Sequence, residues 1–416
     1  MVQQVFQGIK VADFSWVGVG PQVARELAEH GATVVRAESH RHPDTLRLLM
    51  PIKDFQSGID RSGFGACYNT NKYGMSVDLS TPQGKEVAKR LVKWADIVAD
   101  SMTPGTMAKW GLSYESCREI KPDIIYYSTC QMGQKGPFAT FGGYGMFGTS
   151  YAGYCHLLGW PYGSPLPTIN NYSDFIAPWY LCATLILALL HRRKTGQGIY
   201  LDQSQVEAGI NFLGPTILDY TINGRTQCRA GNQDPHSAPH SIYACLGQNR
   251  WVAISVSSDK EWDCFCQAIG SPEWVKSPKF STFLSRKKHE DELDRLITEW
   301  TKDYTPEQVM DIMQQSGVAA GVVRTAEDLF NDPQLNHREH FRFLDHDVIG
   351  RMAYNAPAYH LSKTPNHIWK PGPCLGGDNK YVYNEILGYS EDEIADMIVD
   401  GVITTDADVT EVLREQ

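Results

Sequence analysis

Asp174 stands where an aspartate can either cap a helix or act as a nucleophile. It stands in Asn171-Tyr172-Ser173-Asp174-Phe175, directly ahead of the apolar run Phe175 to Leu190. An aspartate at the start of a helix commonly caps it, because its carboxylate accepts the free backbone N–H groups of the first turn. The positive end of that helix would also hold the carboxylate ionised and ready to attack. The two roles are compatible, and both stay open. Trp160, Tyr162, Tyr172, Trp179 and Tyr180 cluster around it in sequence; they can furnish an aromatic acyl pocket or serve as core packing.

Other candidates are weaker. Gly18-Val19-Gly20-Pro21-Gln22 can set backbone N–H groups near a phosphate at a helix N-terminus, but it lacks the third glycine of the dinucleotide fingerprint and reads better as a plain turn. Lys109, in Met107-Ala108-Lys109-Trp110-Gly111, suits a phosphate or an adenine face, or is a solvated lysine. His236 and His240 have a four-residue spacing, but Pro239 between them argues against the helix that a metal pair would need. No metal site is expected. The ten cysteines contain no C-x-x-C pair, and Cys264 and Cys266 lie in an aromatic segment where burial explains them. Reduced thiols and a cytoplasmic setting are the expectation.

The elements that must position these groups follow from pattern. Ile9 to Phe14 reads as a strand, Gln22 to His30 as a helix and Ala32 to Glu38 as a second strand, a βαβ opening of doubly wound type. Ser80-Thr81-Pro82 starts a helix to Trp94; Asp96 to Asp100, Ile124 to Ser128 and Ile199 to Asp202 read as further strands, and Ser204 opens another helix. The apolar run is shorter than a bilayer span requires and contains Pro178, so a buried core helix is expected there. The composition changes at Ala230 to His240, an exposed loop. Strands Ser241 to Ala244 and Trp251 to Val256 and helices Lys260 to Ile269, Lys287 to Thr301 and Pro306 to Ser316 then suggest a smaller α+β domain. The chain is loop-rich from Phe343 until a helix at Ser390 to Asp400, announced by Ser390-Glu391-Asp392-Glu393. The expected division is 1–220 (large), 221–335 (small) and 336–416 (C-terminal segment).

With 416 residues, 42% hydrophobic and 21% charged, the chain is an ordinary globular protein. Its net charge of -10, with cations scattered, argues against nucleic acid and against anionic membrane surfaces as partners. The N-terminus has neither a basic region nor an apolar one, so no secretory signal is expected.

Taken in order, several segments resemble the class III CoA-transferase family. They are Gly8 to Phe14 with Gly20-Pro21, Gly31 to Glu38, Asn71-Lys72-Tyr73-Gly74-Met75-Ser76-Val77-Asp78-Leu79, Lys109-Trp110-Gly111-Leu112, Gly133-Gln134-Lys135-Gly136-Pro137, Asp174 ahead of its helix, and Lys194 to Ser204. The resemblance covers nearly the whole chain. It implies an α/β fold, a large Rossmann-like domain with a parallel sheet joined to a smaller α+β domain, the C-terminus returning to the large domain. It also implies an interlocked dimer, with a second copy or with a homologous chain.

The resemblance further implies that Asp174 attacks an acyl-CoA donor such as succinyl-CoA and passes CoA to a free carboxylic acid through mixed anhydrides and an aspartyl-CoA thioester. Coenzyme A is then a substrate, and no permanently bound cofactor is expected. The family's CoA contacts would fall on Gly18 and Val19, on Ser39, on Ser76, Val77, Asp78 and Leu79, on Ser101, Met102 and Thr103, and on Lys109. Ser39 and Lys109 stand where arginine is frequent. The family's glycine-rich flap would map to Gln233-Asp234-Pro235-His236-Ser237, which has no glycine run. Racemase relatives carry a histidine base where this chain has Tyr144, and a tyrosine of ordinary pKa is a poor α-proton base. Transfer is therefore favoured over an acyl-CoA racemase or epimerase, over a non-catalytic subunit of a heteromeric transferase, and over a nicotinamide dehydrogenase. The aromatic residues near Asp174 and from Phe141 to Tyr154 lean toward a bulky or aryl-bearing acceptor, a benzylsuccinate-like acid, and toward the benzylsuccinate CoA-transferase branch.

Overall fold

A computed structural model describes residues 3–168 and 171–409. Contacts divide the chain into two compact units: residues 1–155, 167–226 and 336–416, and residues 156–166 and 227–335. The short stretch 156–166, which the sequence reading left in the large domain, thus goes with the second unit.

The first unit is built on six parallel strands: β1 (Lys10–Asp13), β2 (Thr33–Glu38), β3 (Tyr73–Ser76), β4 (Ile97–Asp100), β5 (Ile125–Cys130) and β6 (Ile199–Ser204), in the order β3-β2-β1-β4-β5-β6. Val11, Ala12, Val34, Val35, Ile97, Val98, Ile125 and Tyr126 are almost wholly buried. Such continuous apolar runs are what a parallel sheet covered on both faces requires. On one face Ala12, Val35 and Val98 pack with Val87, Leu91 and Val92 of α1 (Pro82–Trp94), which Thr81 caps and Pro82 starts. Val382, Tyr383, Met397 and Ile403 join the same cluster, which ties the C-terminal segment to this unit. On the other face Val11, Val34 and Ile97 pack with Val23 and Leu27 of α2 (Val19–Glu29) and with Leu181, Leu185 and Ala188 of α3 (Tyr172–Thr195).

That long helix departs from the buried core helix expected. Phe175, Trp179, Tyr180, Ile186, Leu187 and Leu190 on it are exposed. Among the described residues it is the one helix long and apolar enough to cross a membrane by length and composition; here one side of it packs on the sheet. Two further differences are local. Residues 341–355 form an antiparallel hairpin (Phe341–His346 with Gly350–Asn355) where loop was expected, and the helix expected at Lys287 to Thr301 is interrupted at His289.

The second unit holds an antiparallel sheet of His240–Ala244, Trp251–Ser255 and Ala319–Val322. Helices Asp259–Ala268, Glu290–Thr301 and Pro306–Gln315 close over Val252, Phe265, Leu293 and Val309. It is the smaller α+β body expected. The loop Gln233 to Ser237 belongs to it, with the Asp234 carbonyl accepting from Lys287 Nζ at 2.9 Å.

Candidate active site

In a doubly wound sheet the order of connections reverses beside the first strand, and a crevice opens at the carboxyl ends of the strands there. Here the reversal falls between β1 and β4, and the loops leaving them, Ser15 to Gly18 and Ser101 to Pro104, run side by side. The Trp16 N–H donates to Ser101 Oγ at 2.7 Å, and the Ser101 hydroxyl donates back to the Trp16 carbonyl at 2.8 Å. Against these loops lies a cavity of about 260 Å³ lined by Trp16, Gly18, Ser101, Gln131, Gly145 and Asp174, among others.

Asp174 is buried and sits three residues into α3, after Asn171. It does not cap the helix, because Asn171 occupies the cap position. Its carboxylate lies between two glycines: a Cβ placed on Gly18 would come 3.2 Å from Asp174 Oδ2, and one on Gly145 would come 2.1 Å from it. Gly145 opens the short helix Gly145–Tyr151, and its carbonyl accepts from the Ser173 hydroxyl at 3.2 Å. Gln22 Nε2 donates to the Asp174 carbonyl at 3.3 Å, so α2 is tied to the same turn. Burial pushes the Asp174 carboxyl up to about 7, against the opposing hydrogen bond from Asn171. Burial thus works against the ionised form that the helix end was expected to favour.

A second cavity of about 340 Å³ lies across Trp16, which lines both. Ser39, Val77, Asp78 and Leu79 line the second, and Met102 and Thr103 line both. Glu38 lines it too; although burial works against it, the guanidinium groups of Arg36 and Arg47 hold its carboxyl well below the usual range.

Thus the structure gathers Gly18, Ser101, Met102, Thr103 and Asp174 around one cavity and Ser39, Val77, Asp78 and Leu79 around the adjoining one. Three candidates stand apart. Val19 is buried among Ala177 and Ala208; Ser76 turns inward, its hydroxyl donating to the Thr404 carbonyl at 2.7 Å; Lys109 is exposed and lines neither cavity. Of the five aromatics near Asp174 in sequence, none lines its cavity; Trp16, Phe141 and Tyr144 do. Trp160 instead meets Gly231 in the second unit. Sequence reasoning passed over Trp16, Trp110, Gln131, Gly145 and Gln205. The glycine density of Gly142-Gly143-Tyr144-Gly145 was a usable signal for one of them. Among the described residues no group of His, Cys, Asp or Glu stands together to hold a metal.

A family model described as CoA-transferase family III matches residues 6–379. The succinyl-CoA–D-citramalate CoA-transferase of Chloroflexus aurantiacus is 30% identical over 387 residues, 93% of this chain and 95% of its own length. The succinyl-CoA–L-malate CoA-transferase beta subunit of the same organism is 28% identical, over 94% of this chain and 96% of its own. A solved CAIB/BAIF family protein from Brucella suis matches with a TM-score of 0.84 at 25% identity, covering 92% of this chain and 100% of that one.

Proposed function

The chain belongs to CoA-transferase family III, and on that premise we propose that it moves CoA from succinyl-CoA to a free carboxylic acid with Asp174 as the covalent nucleophile. An Asp174 oxygen attacks the thioester carbonyl and CoA thiolate leaves, giving a mixed anhydride. The thiolate then attacks the aspartyl carbonyl, releasing succinate and leaving an aspartyl-CoA thioester. The acceptor carboxylate displaces the thiolate to form a second anhydride, and the thiolate attacks the acceptor's own carbonyl, which frees the new acyl-CoA and restores Asp174. The observation that carries this reading is the buried carboxylate of Asp174, wedged between Gly18 and Gly145 at the wall of a cavity. Succinyl-CoA as donor follows the names of the relatives. The aromatic wall of Trp16, Phe141 and Tyr144 favours a bulky or aryl-bearing acceptor.

We take the second cavity, with Ser39, Val77, Asp78 and Leu79, as the place where the rest of CoA lies. The uncovered apolar side of α3, with Phe212, Leu218, Tyr220 and Ile222 beyond it, supports a dimer. A relative named as a beta subunit makes a homologous chain a second candidate partner. The ten cysteines are all free, which suits a reducing cytoplasm.

The test is to incubate the protein with succinyl-CoA and hydroxylamine and map the peptide 171–178 by mass spectrometry. A hydroxamate confined to Asp174 is expected; an unmodified Asp174 in a protein that binds CoA overturns the mechanism. In Gly145→Ala the new Cβ would come 2.1 Å from Asp174 Oδ2 and 2.3 Å from Asn171 Cβ, so both the carboxylate and the turn at Asn171 must shift. The variant is expected to lower kcat by roughly 100-fold, because the carboxylate is pushed from its place. Unchanged kcat in that variant would show that the glycine's close approach is immaterial.

A further inference from the structure

Val17 has φ of 61°, a left-handed conformation that a β-branched residue rarely adopts. It is unfavourable relative to ordinary backbone, because Cβ crowds the following carbonyl oxygen. Something must hold it, and the hydrogen bonds show what does. The Val17 N–H donates to both oxygens of Asp44, at 3.1 and 3.0 Å. Asp44 is wholly buried, accepts the Leu46 N–H at 3.0 Å and is clasped by Arg36. Arg36 also donates to the Ser15 carbonyl at 2.9 Å, two residues before Val17. The strained residue is followed at once by Gly18, on which a Cβ would come 3.2 Å from Asp174 Oδ2, and Thr45, next to Asp44, lines the same cavity.

We infer that Asp44 is a positioning residue for the reaction. By fixing Val17 in its left-handed conformation it presents Gly18 to Asp174 and sets the wall of the acyl cavity. Nothing in the transfer chemistry itself requires an anion at this position. Its role is to make the unfavourable backbone state the only one available, which is how strain is commonly retained at functional sites. The inference rests on Asp174 being the nucleophile.

It predicts an interaction between two substitutions. Asp44→Ala is expected to lower kcat by about 10- to 100-fold, the range for a modest misplacement of reacting groups, while the Kd for CoA moves less than about threefold, because the second cavity is built from other residues. Glycine adopts the left-handed conformation without steric cost. In a Val17→Gly background, therefore, Asp44→Ala is expected to cost less than about threefold in kcat. An equal loss in both backgrounds would overturn the inference and leave Asp44 as a partner of Arg36 alone. Should Asp44→Ala fail to fold, Asp44→Asn serves in its place: its amide oxygen can still accept one N–H, so a smaller loss with the same dependence on Val17 is expected, and a loss independent of Val17 counts against the idea. Hydroxylamine trapping on the unaltered protein runs alongside. Absence of the Asp174 adduct there removes the nucleophile assignment, whereas a normal adduct with no coupling between positions 44 and 17 removes only this proposal.

Discussion

Asp174→Asn is expected to abolish CoA exchange, by about 10³-fold or more, and at the same time to make the protein more stable above pH 7. The first effect follows from the loss of the attacking oxygen, since an amide is not a nucleophile toward a thioester and no second carboxylate lines that cavity among the described residues. The second follows from burial. The carboxyl titrates near 3.8 in an ordinary setting and is pushed up to about 7 in the fold. Below about pH 4 it is protonated whether the chain is folded or not, and the folded state suffers no penalty. Above about pH 4 the unfolded chain gives up this proton while the folded chain keeps it, so stability falls progressively until the folded carboxyl also ionises near pH 7, and the penalty is constant beyond. At about 1.4 kcal/mol per pKa unit, the penalty is on the order of 4 kcal/mol at pH 8, an upper figure. Asparagine has no charge to desolvate. The gap in thermal midpoint between Asp174→Asn and the unaltered protein should therefore open between pH 4 and 8, and a gap independent of pH would contradict the assigned cause. The same titration gives kcat/KM an ascending limb centred near pH 7, because only the ionised form attacks.

Arg36→Met is expected to destabilise the first unit by about 3–5 kcal/mol, the usual cost of removing one partner from a buried charge cluster. Arg36 is almost completely buried and faces three carboxylates: Glu38 at 2.8 Å, Asp44 at 2.5 Å and Asp13 at 3.6 Å. Arg47 still reaches Glu38 at 2.7 Å, and Lys72 still reaches Asp13 at 2.8 Å. Among the described residues Asp44 has no second cation, and burial already raises its carboxyl; it would be left charged without a counterion or driven to protonate. Calorimetry should show an early transition for the large unit; a shift worth less than about 1 kcal/mol would mean that the fold relaxes around the gap. Arg36→Lys should rescue poorly, since a point charge on a flexible stem cannot reproduce the fork that spans Glu38, Asp44 and the Ser15 carbonyl.

Five strands of the six-stranded sheet were legible because they begin in short apolar runs bounded by turn residues, whereas β3, Tyr73-Gly74-Met75-Ser76, has no such run and was not read as a strand. α1 and the C-terminal helix were legible because Thr81-Pro82 and Ser390 with Glu393 are local signals whose geometry the structure reproduces. The hairpin at 341–355 was not, because its alternation is blurred by Arg342, Asp345 and Arg351. A helix apolar all round reads as buried; that one side of α3 stays uncovered depends on which surfaces the rest of the fold brings near it. For the site, Asp174 could be picked out by its position ahead of the helix, but not its titration, which arises from burial by segments far apart in sequence. Trp16, Gln131 and Gln205 carry no local signal either: they line the cavity because β1, β4, β5 and β6, consecutive in the sheet, bring their carboxyl ends to one edge.

Trp16 is shared by the two cavities, one holding Asp174 and the other lined by Ser39 and Leu79. Such a party wall lets selection act on the two compartments separately. Phe141 and Tyr144 border only the first; on the proposed assignment of the first cavity to the acyl group and the second to CoA, a lineage can trade one acid for another by changing them without disturbing its hold on the carrier, whereas Trp16 belongs to both and is the costly position to alter. Divergence among relatives is therefore expected to be uneven: rapid on the acyl side, slow at the wall.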